Sequence, residues 1–134
     1  MKILGIGVDI IRNKRIKTSI KNKNFIKRIF SNNEIKTSKN KNDKTSYFAK
    51  RFAAKESFVK ALGTGFRNNL NFKDIEILND KKGKPYYFES KGISRIIMKK
   101  YKVKKYNLFL SITDEKDYSV AFTIIQTQSW LIKR

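Results

Sequence analysis

The segment Arg51-Phe52-Ala53-Ala54-Lys55-Glu56-Ser57-Phe58-Val59-Lys60-Ala61-Leu62 ends in Gly63-Thr64-Gly65. It reads as the second half of a helix that runs into a glycine stop. Glu56 and Lys60 are four residues apart, so they share one helical face. Counting back from Glu56 by helical steps reaches Ala53 and Ala49, small residues that another group can approach closely. Near the start of the chain a further carboxylate stands in Gly5-Ile6-Gly7-Val8-Asp9. Carboxylates, an ammonium and a glycine turn are groups that can hold a hard metal ion and a phosphate together. Each also has a plainer reading. Asp9 can be a helix cap or a strand-end turn, because the segment after it looks helical. Glu56 with Lys60 can be a surface ion pair, worth only about 0.2–0.5 kcal/mol to a helix. Gly63-Thr64-Gly65 can be no more than a helix stop.

Composition narrows the chemistry. The chain of 134 residues has the size of one domain, spanning 1–134, and can bury one modest core. Hydrophobic residues at 40% argue for a folded chain. There is no Cys, so disulfides and thiolate metal sites are excluded, and no His, so imidazole ligands and histidine acid–base chemistry are excluded. Any metal then has oxygen ligands, which favours Mg²⁺ or a similar hard ion. No signal peptide and no apolar run of membrane-spanning length is visible, so a cytoplasmic protein is expected. The formal net charge of +21 has two readings. One is a polyanionic partner: nucleic acid, acidic protein or phosphorylated substrate. The other is drift toward lysine, because 25 of the 32 basic residues are Lys.

The elements that must position these residues follow from periodicity. Lys2 to Ile10 reads as a strand, with Leu4, Ile6, Val8 and Ile10 on one face and Ile3, Gly5, Gly7 and Asp9 on the other. The two glycines clear space beside the acid for a ligand or another backbone. Ile11 to Ile20 is expected to be helical and Phe25 to Phe30 to continue the pattern. Ser31-Asn32-Asn33-Glu34 is a capping-box signature, and Lys36 to Ser46 reads as a polar loop. The long helix is expected over Thr45–Leu62, with Phe48, Phe52, Val59 and Leu62 as its apolar stripe and Gly63 as its left-handed stop. Phe72 to Leu78 alternates like a strand, Asn79 to Lys84 is a turn, and Pro85 to Phe88 is a return strand. Ser90 to Tyr101 reads as a helix with Ile93, Ile96, Ile97 and Tyr101 inward. Asn107–Thr113 and Tyr118–Ile125 form a hairpin. Trp130 in the tail is unassigned. This order is α+β, an antiparallel sheet packed against a long helix.

Four segments together carry a family resemblance. They are Ile3-Leu4-Gly5-Ile6-Gly7-Val8-Asp9-Ile10, the stretch from Arg51 to Gly65, Asn79-Asp80-Lys81-Lys82-Gly83-Lys84-Pro85, and Leu110-Ser111-Ile112-Thr113-Asp114-Glu115-Lys116-Asp117-Tyr118-Ser119-Val120-Ala121-Phe122. In this order and spacing the chain resembles the holo-[acyl-carrier-protein] synthases, the small bacterial 4′-phosphopantetheinyl transferases. The match covers most of the chain. The resemblance implies that family's fold and its reaction in fatty acid biosynthesis. A serine hydroxyl of an acyl carrier protein attacks the β-phosphate of coenzyme A, and 3′,5′-ADP leaves. Such a reaction asks the protein for positioning, charge neutralisation and proton removal.

Residue by residue, the resemblance makes Asp9 and Glu56 the Mg²⁺ ligands. It sets Lys60 against a phosphate and Arg51 against the nucleotide phosphates. Gly63, Thr64 and Gly65 would let backbone approach the adenosine. Lys14, Arg15 and Arg28 would dock the acidic carrier protein. A homotrimer with sites across subunit interfaces is the family's usual assembly. Two departures stand out: Asp114 replaces a histidine that many relatives carry, and Arg12-Asn13 replace an acidic residue often found after Asp9. Two other readings remain. A small nucleic-acid-binding protein would explain the charge and the aromatics Tyr86, Tyr87 and Phe88, but it leaves the carboxylates unused, and Arg, the better base reader, is scarce. An inactive relative is opposed by the intact Asp9, Glu56 and Lys60.

Overall fold

The structure is a computed structural model and describes residues 1–65 and 70–128. Trp130 and the rest of the tail from 129 lie outside the described residues. Strand β1 (Lys2–Arg12) leads into three short helices, α1 (Asn13–Ser19), α2 (Lys23–Ile29) and α3 (Asn32–Ser38). The long helix α4 (Lys44–Leu62) follows. A 3-10 turn (Phe72–Asp74), the pair β2 (Ile77–Asn79) and β3 (Pro85–Tyr87), helix α5 (Lys91–Tyr101) and the hairpin β4 (Asn107–Asp114) and β5 (Tyr118–Thr127) complete it. The main sheet has the order β1-β5-β4 with antiparallel neighbours, and β2-β3 form a separate two-stranded sheet. Helix α4 lies across β1 and β5. The mixture is the α+β architecture that the order of elements implies.

The helix ends follow local chemistry. Ser31 and Glu34 make the expected capping box on α3. Asp43 caps α4 by accepting from the Ser46 amide, and Gly63 closes the helix at φ +75°. The expected stripe of Phe48, Phe52, Val59 and Leu62 is buried. The burial of α4 extends further, to nearly its whole circumference, including Arg51, Lys55 and Ser57.

Three boundaries differ from the sequence expectation. β1 runs on to Arg12, because Ile11 and Arg12 still pair with Ser119 and Tyr118 of β5. Helix α3 continues to Ser38, into the segment expected to be loop. The stretch from Phe72 does not become a strand until Ile77. Its backbone is satisfied by side chains instead. The Lys55 ammonium donates to the carbonyls of Phe72 (3.0 Å) and Ile75 (2.6 Å), and the Ile77 amide donates to Glu34 Oε2 (3.0 Å). Lys55 also pairs with Glu34 at 2.7 Å, both side chains fully buried. Burial lowers the Lys55 pKa, while Glu34 acts to raise it. Loss of either partner strands the other charge, which costs about 3–5 kcal/mol in buried pairs of this kind.

The glycine face of β1 decides how the layers meet. It turns toward α4, so the space beside Asp9 is filled by backbone. A Cβ on Gly7 would lie 1.9 Å from the Ser57 carbonyl oxygen, and one on Gly5 would lie 2.1 Å from that of Ala61. Only glycine lets the helix backbone come this near. Under the same helix, Tyr87 donates to the Ala54 carbonyl (2.7 Å) and meets Thr123 Oγ1 (2.7 Å), which in turn meets Ser57 Oγ (2.6 Å). These buried hydroxyls satisfy one another. The other face of β1 points outward. Ile6, Val8 and Ile10 are 59%, 54% and 63% exposed, beside exposed Phe122 of β5 and Phe109 of β4. Leu4 leaves this face. A register shift between Ile3 and Gly5 lets it pack against the core.

Gly7→Ala should therefore destabilise the fold by about 1–3 kcal/mol or more, as overpacking does. Gly92→Ala on α5 should be neutral or stabilising by roughly 0.5–1 kcal/mol, because helical Gly is disfavoured against Ala and its Cβ would meet nothing nearer than Ser90 Oγ at 3.9 Å. Urea denaturation of the two variants beside the parent chain checks the contrast.

Candidate active site

Close packing of β1 on α4 brings three of the sequence-predicted residues together. Asp9 sits on the glycine face of β1, opposite Ala121 of β5. Lys60, in the last turn of α4, places its ammonium 3.0 Å from Asp9 Oδ1. This ion pair joins two elements 51 residues apart, in place of the i,i+4 pair with Glu56 that a surface helix would offer. Its two ends differ: the Lys60 side chain is 53% exposed and that of Asp9 only 14%.

Glu56 completes the cluster electrostatically. Burial, and then the neighbouring Asp9 carboxylate, push its carboxyl above the ordinary range, while Lys60 and Arg15 pull it back. A carboxylate raised by a second carboxylate is an arrangement a cation would relieve. Arg15 lies on α1, so that helix borders the site. Lys14 and Arg15 on α1 and Arg28 on α2 are all exposed.

The glycine turn follows the last turn of α4, three residues after Lys60. Gly63 and Gly65 both have positive φ, +75° and +68°, and a Cβ at either would meet nothing within 4 Å among the described residues. The backbone there is open to an approaching group. Arg51 has a different setting. It is 4% exposed, its guanidinium lies 4.1 Å over the Tyr47 ring, and Nη2 donates to Asn79 Oδ1 in β2. Its Nε is buried without a hydrogen-bond partner among the described residues. Arg51 thus tethers α4 to the β2–β3 hairpin, on contacts separate from those that join Asp9, Glu56 and Lys60.

The two departures have structural roles. Asp114, at the end of β4, accepts from Ser46 Oγ at 3.2 Å, which ties the hairpin to the first turn of α4. Asn13 is buried at the start of α1. It donates to the carbonyls of Glu115 and Lys116 and accepts from Ser119 Oγ at 2.7 Å. An acid in that position could not donate those two bonds while ionised. Ser46, Glu34 and Lys55 are residues that sequence reasoning passed over as supports of the site, and it marked Asn13 only as a departure from the family. Of the first three only Glu34 carried a sequence signal, and that signal pointed to a cap.

Residues 5–123 match the family model described as 4′-phosphopantetheinyl transferase superfamily, which sets the class of protein. A holo-[acyl-carrier-protein] synthase of Pelagibacter ubique is 59% identical over 126 residues, covering 94% of this chain and 98% of that protein. The crystal structure of the holo-[acyl-carrier-protein] synthase of Neisseria meningitidis is similar at TM-score 0.82 and 36% identity, over 94% of this chain and 100% of that one. The Bacillus anthracis enzyme, solved in complex with CoA (3′,5′-ADP), is similar at TM-score 0.77 and 34% identity, over 94% and 98% of the two chains. The chain belongs to the holo-[acyl-carrier-protein] synthase family of that superfamily.

The raised Glu56 pKa has a consequence for stability. Folding raises this pKa, so the stabilising contribution is present at low pH, below the unfolded value, and is lost as pH rises through the folded value. With divalent ions chelated, Glu56→Gln should raise the melting temperature at pH 7, and the gain should vanish below about pH 4, under the ordinary Glu pKa. Thermal melts of both proteins across that range check it.

Proposed function

We propose that this chain, as a single catalytic domain over residues 1–134, transfers the 4′-phosphopantetheine group of coenzyme A to a serine of an apo acyl carrier protein, with 3′,5′-ADP leaving. The observation that carries the reading is the meeting of Asp9, Glu56 and Lys60 across the β1–α4 contact. The transfer serves fatty acid biosynthesis, as the family resemblance implies.

Asp9 and Glu56 fit a hard divalent ion such as Mg²⁺. Both are oxygen donors, and both keep some solvent exposure. Among the described residues no group of three acids forms a complete metal cage. Two protein ligands would leave positions to water and to the phosphate oxygens of the substrate, the usual way of holding Mg²⁺. When bound, the ion would neutralise charge on the pyrophosphate. The chain's own groups do the rest. Lys60 meets a phosphate and stabilises charge on the leaving group. Glu56 acting through a water is a route for the serine proton. The backbone of Gly63-Thr64-Gly65 takes the adenosine side. Arg51 is assigned to the nucleotide phosphates on the family resemblance alone, since its guanidinium is held among Asn79 and Tyr47 and is 4% exposed.

Docking of the acidic carrier falls to Lys14, Arg15 and Arg28. Arg15 acts on Glu56 electrostatically, so a carrier docked on α1 presents its serine beside the carboxylates. The net charge of +21 would steer an acidic partner toward this surface. A nucleic-acid partner would leave the carboxylate pair without a role. We also propose a homotrimer in which other coenzyme A contacts come from the neighbouring subunit. The outward apolar face of β1, β5 and β4 supports self-association.

Mass spectrometry of an apo carrier protein, incubated with this chain, coenzyme A and Mg²⁺, should show the gain of one phosphopantetheine. Asp9→Ala with Glu56→Ala, or a chelator, should abolish it. No gain with a folded protein and a cognate carrier would overturn the reading. Arg15→Glu should raise the KM for the carrier about tenfold, the scale of a disrupted interfacial charge contact, and leave coenzyme A affinity unchanged. Equal loss toward both substrates would refute the docking surface. Val8→Asp should shift the sedimentation velocity of the assembly to that of a monomer. An unchanged oligomer would place the interface elsewhere.

A further inference from the structure

Asp9 has one cation in hydrogen-bonding contact among the described residues, and it is on the same helix as the second carboxylate. The Lys60 ammonium sits 3.0 Å from Asp9 Oδ1. A divalent ion held by Asp9 and Glu56 would bring a second cation to the same carboxylate. Two cations within a few ångströms of one another repel strongly. We propose that Lys60 and the divalent ion are alternative partners of Asp9, so that arrival of the ion releases the ammonium to the substrate phosphates.

The inference rests on the metal-site reading above and concerns the order of events at that site. Three observations support the exchange. First, Lys60 is the exposed end of the pair and Asp9 the sheltered end, so the lysine can leave into water while the carboxylate stays fixed in β1. The ammonium is a compact charge on a flexible stem, which suits swinging. Second, an Asp9 carboxylate without a cation would face Glu56 unrelieved, since Asp9 already acts on Glu56. A tethered ammonium keeps the pair tolerable until a stronger cation comes. Third, the turn Gly63-Thr64-Gly65 begins three residues after Lys60, just beyond the end of α4. Its backbone is one that a phosphate-bearing ligand can approach.

Two consequences follow. The metal affinity of the free protein is lowered by the fraction of molecules in which Lys60 holds Asp9. Metal and coenzyme A should bind with positive coupling, part of it delivered by the freed lysine.

The test is a titration of the full chain with Mn²⁺, read by electron paramagnetic resonance without any substrate. Exposed ion pairs are worth up to about 1 kcal/mol, so Lys60→Met should tighten Mn²⁺ binding by up to about fivefold. Lys60→Arg, which keeps a cation on the same stem position, should stay near the parent value. Arg15→Met serves as the control for loss of positive charge alone, because Arg15 acts on Glu56 through its charge. Its effect should be clearly smaller. Tightening by Lys60→Met no greater than by Arg15→Met, or weaker binding, would overturn the exchange while leaving the metal site standing. No Mn²⁺ binding by any of these proteins, or undiminished binding by Asp9→Asn, would instead overturn the metal-site reading and the exchange with it. Calorimetry of coenzyme A with and without Mg²⁺ gives a second readout. The metal-dependent gain in affinity should shrink in Lys60→Met, and an undiminished gain would overturn the release step. Thermal melts of each variant establish that it is folded, as expected for a half-exposed lysine.

Discussion

Everything at the site depends on how closely the backbone of α4 approaches β1. The two glycines of β1 leave no room for a side chain between strand and helix. That contact sets the height of α4 above the sheet, and thus the distance between a carboxylate on one element and an ammonium on the other. A methyl group at Gly7 would push the layers apart at the point where Asp9 and Lys60 meet. The chemistry is therefore built into the packing of two regular elements and does not rely on a loop, which suits a reaction that needs positioning above all.

The far side of α4 is held by a different device. Lys55 is adjacent to Glu56 in sequence but points into the protein, where it binds Glu34 and two carbonyls of the chain before β2. Its neighbour faces the cluster. Successive residues of one helix turn thus serve two ends: an inward ion pair that fixes the rotation of α4, and an outward carboxylate whose direction depends on that rotation. The buried pair is weak evidence for stability in itself, since desolvation opposes its attraction. Its value lies in the four segments it joins, α3, α4, the 3-10 turn and β2. Arg51 adds a similar tether one turn earlier, to Asn79 and Tyr47.

The site also carries an electrostatic tension. Placing Glu56 in a half-buried setting beside Asp9 raises its pKa, which marks an unfavourable charge arrangement in the protein alone. Lys60 and Arg15 moderate it. Such tension is expected where a cation and phosphates are to be held, because a fully relaxed carboxylate pair would have little to gain from them. The outward apolar face of the sheet is a second cost, borne by residues that alternate strictly with the glycines and Asp9 on the same strand.

Some of this was legible in the residues alone. The α+β order, the stop at Gly63 and the capping box at Ser31 rest on local spacing, caps and glycine preferences, which act between neighbours in the chain. The pairing of Asp9 with the Glu56–Lys60 helix came from the family resemblance. Tertiary structure decided what local rules cannot reach. Alternation along β1 separates two faces but does not say which turns inward, and the glycine face won because only it admits a helix backbone. Helical spacing offers Lys60 to Glu56, yet its ammonium goes to Asp9, brought beside it across the β1–α4 contact. The sequence reading gives Lys55 no role and sets Arg51 against phosphates, and both are buried because carboxylate, carbonyl, amide and aromatic groups converge on them. Charge pairing and burial are settled by which partners the fold brings within a few ångströms, and those partners lie far away along the chain.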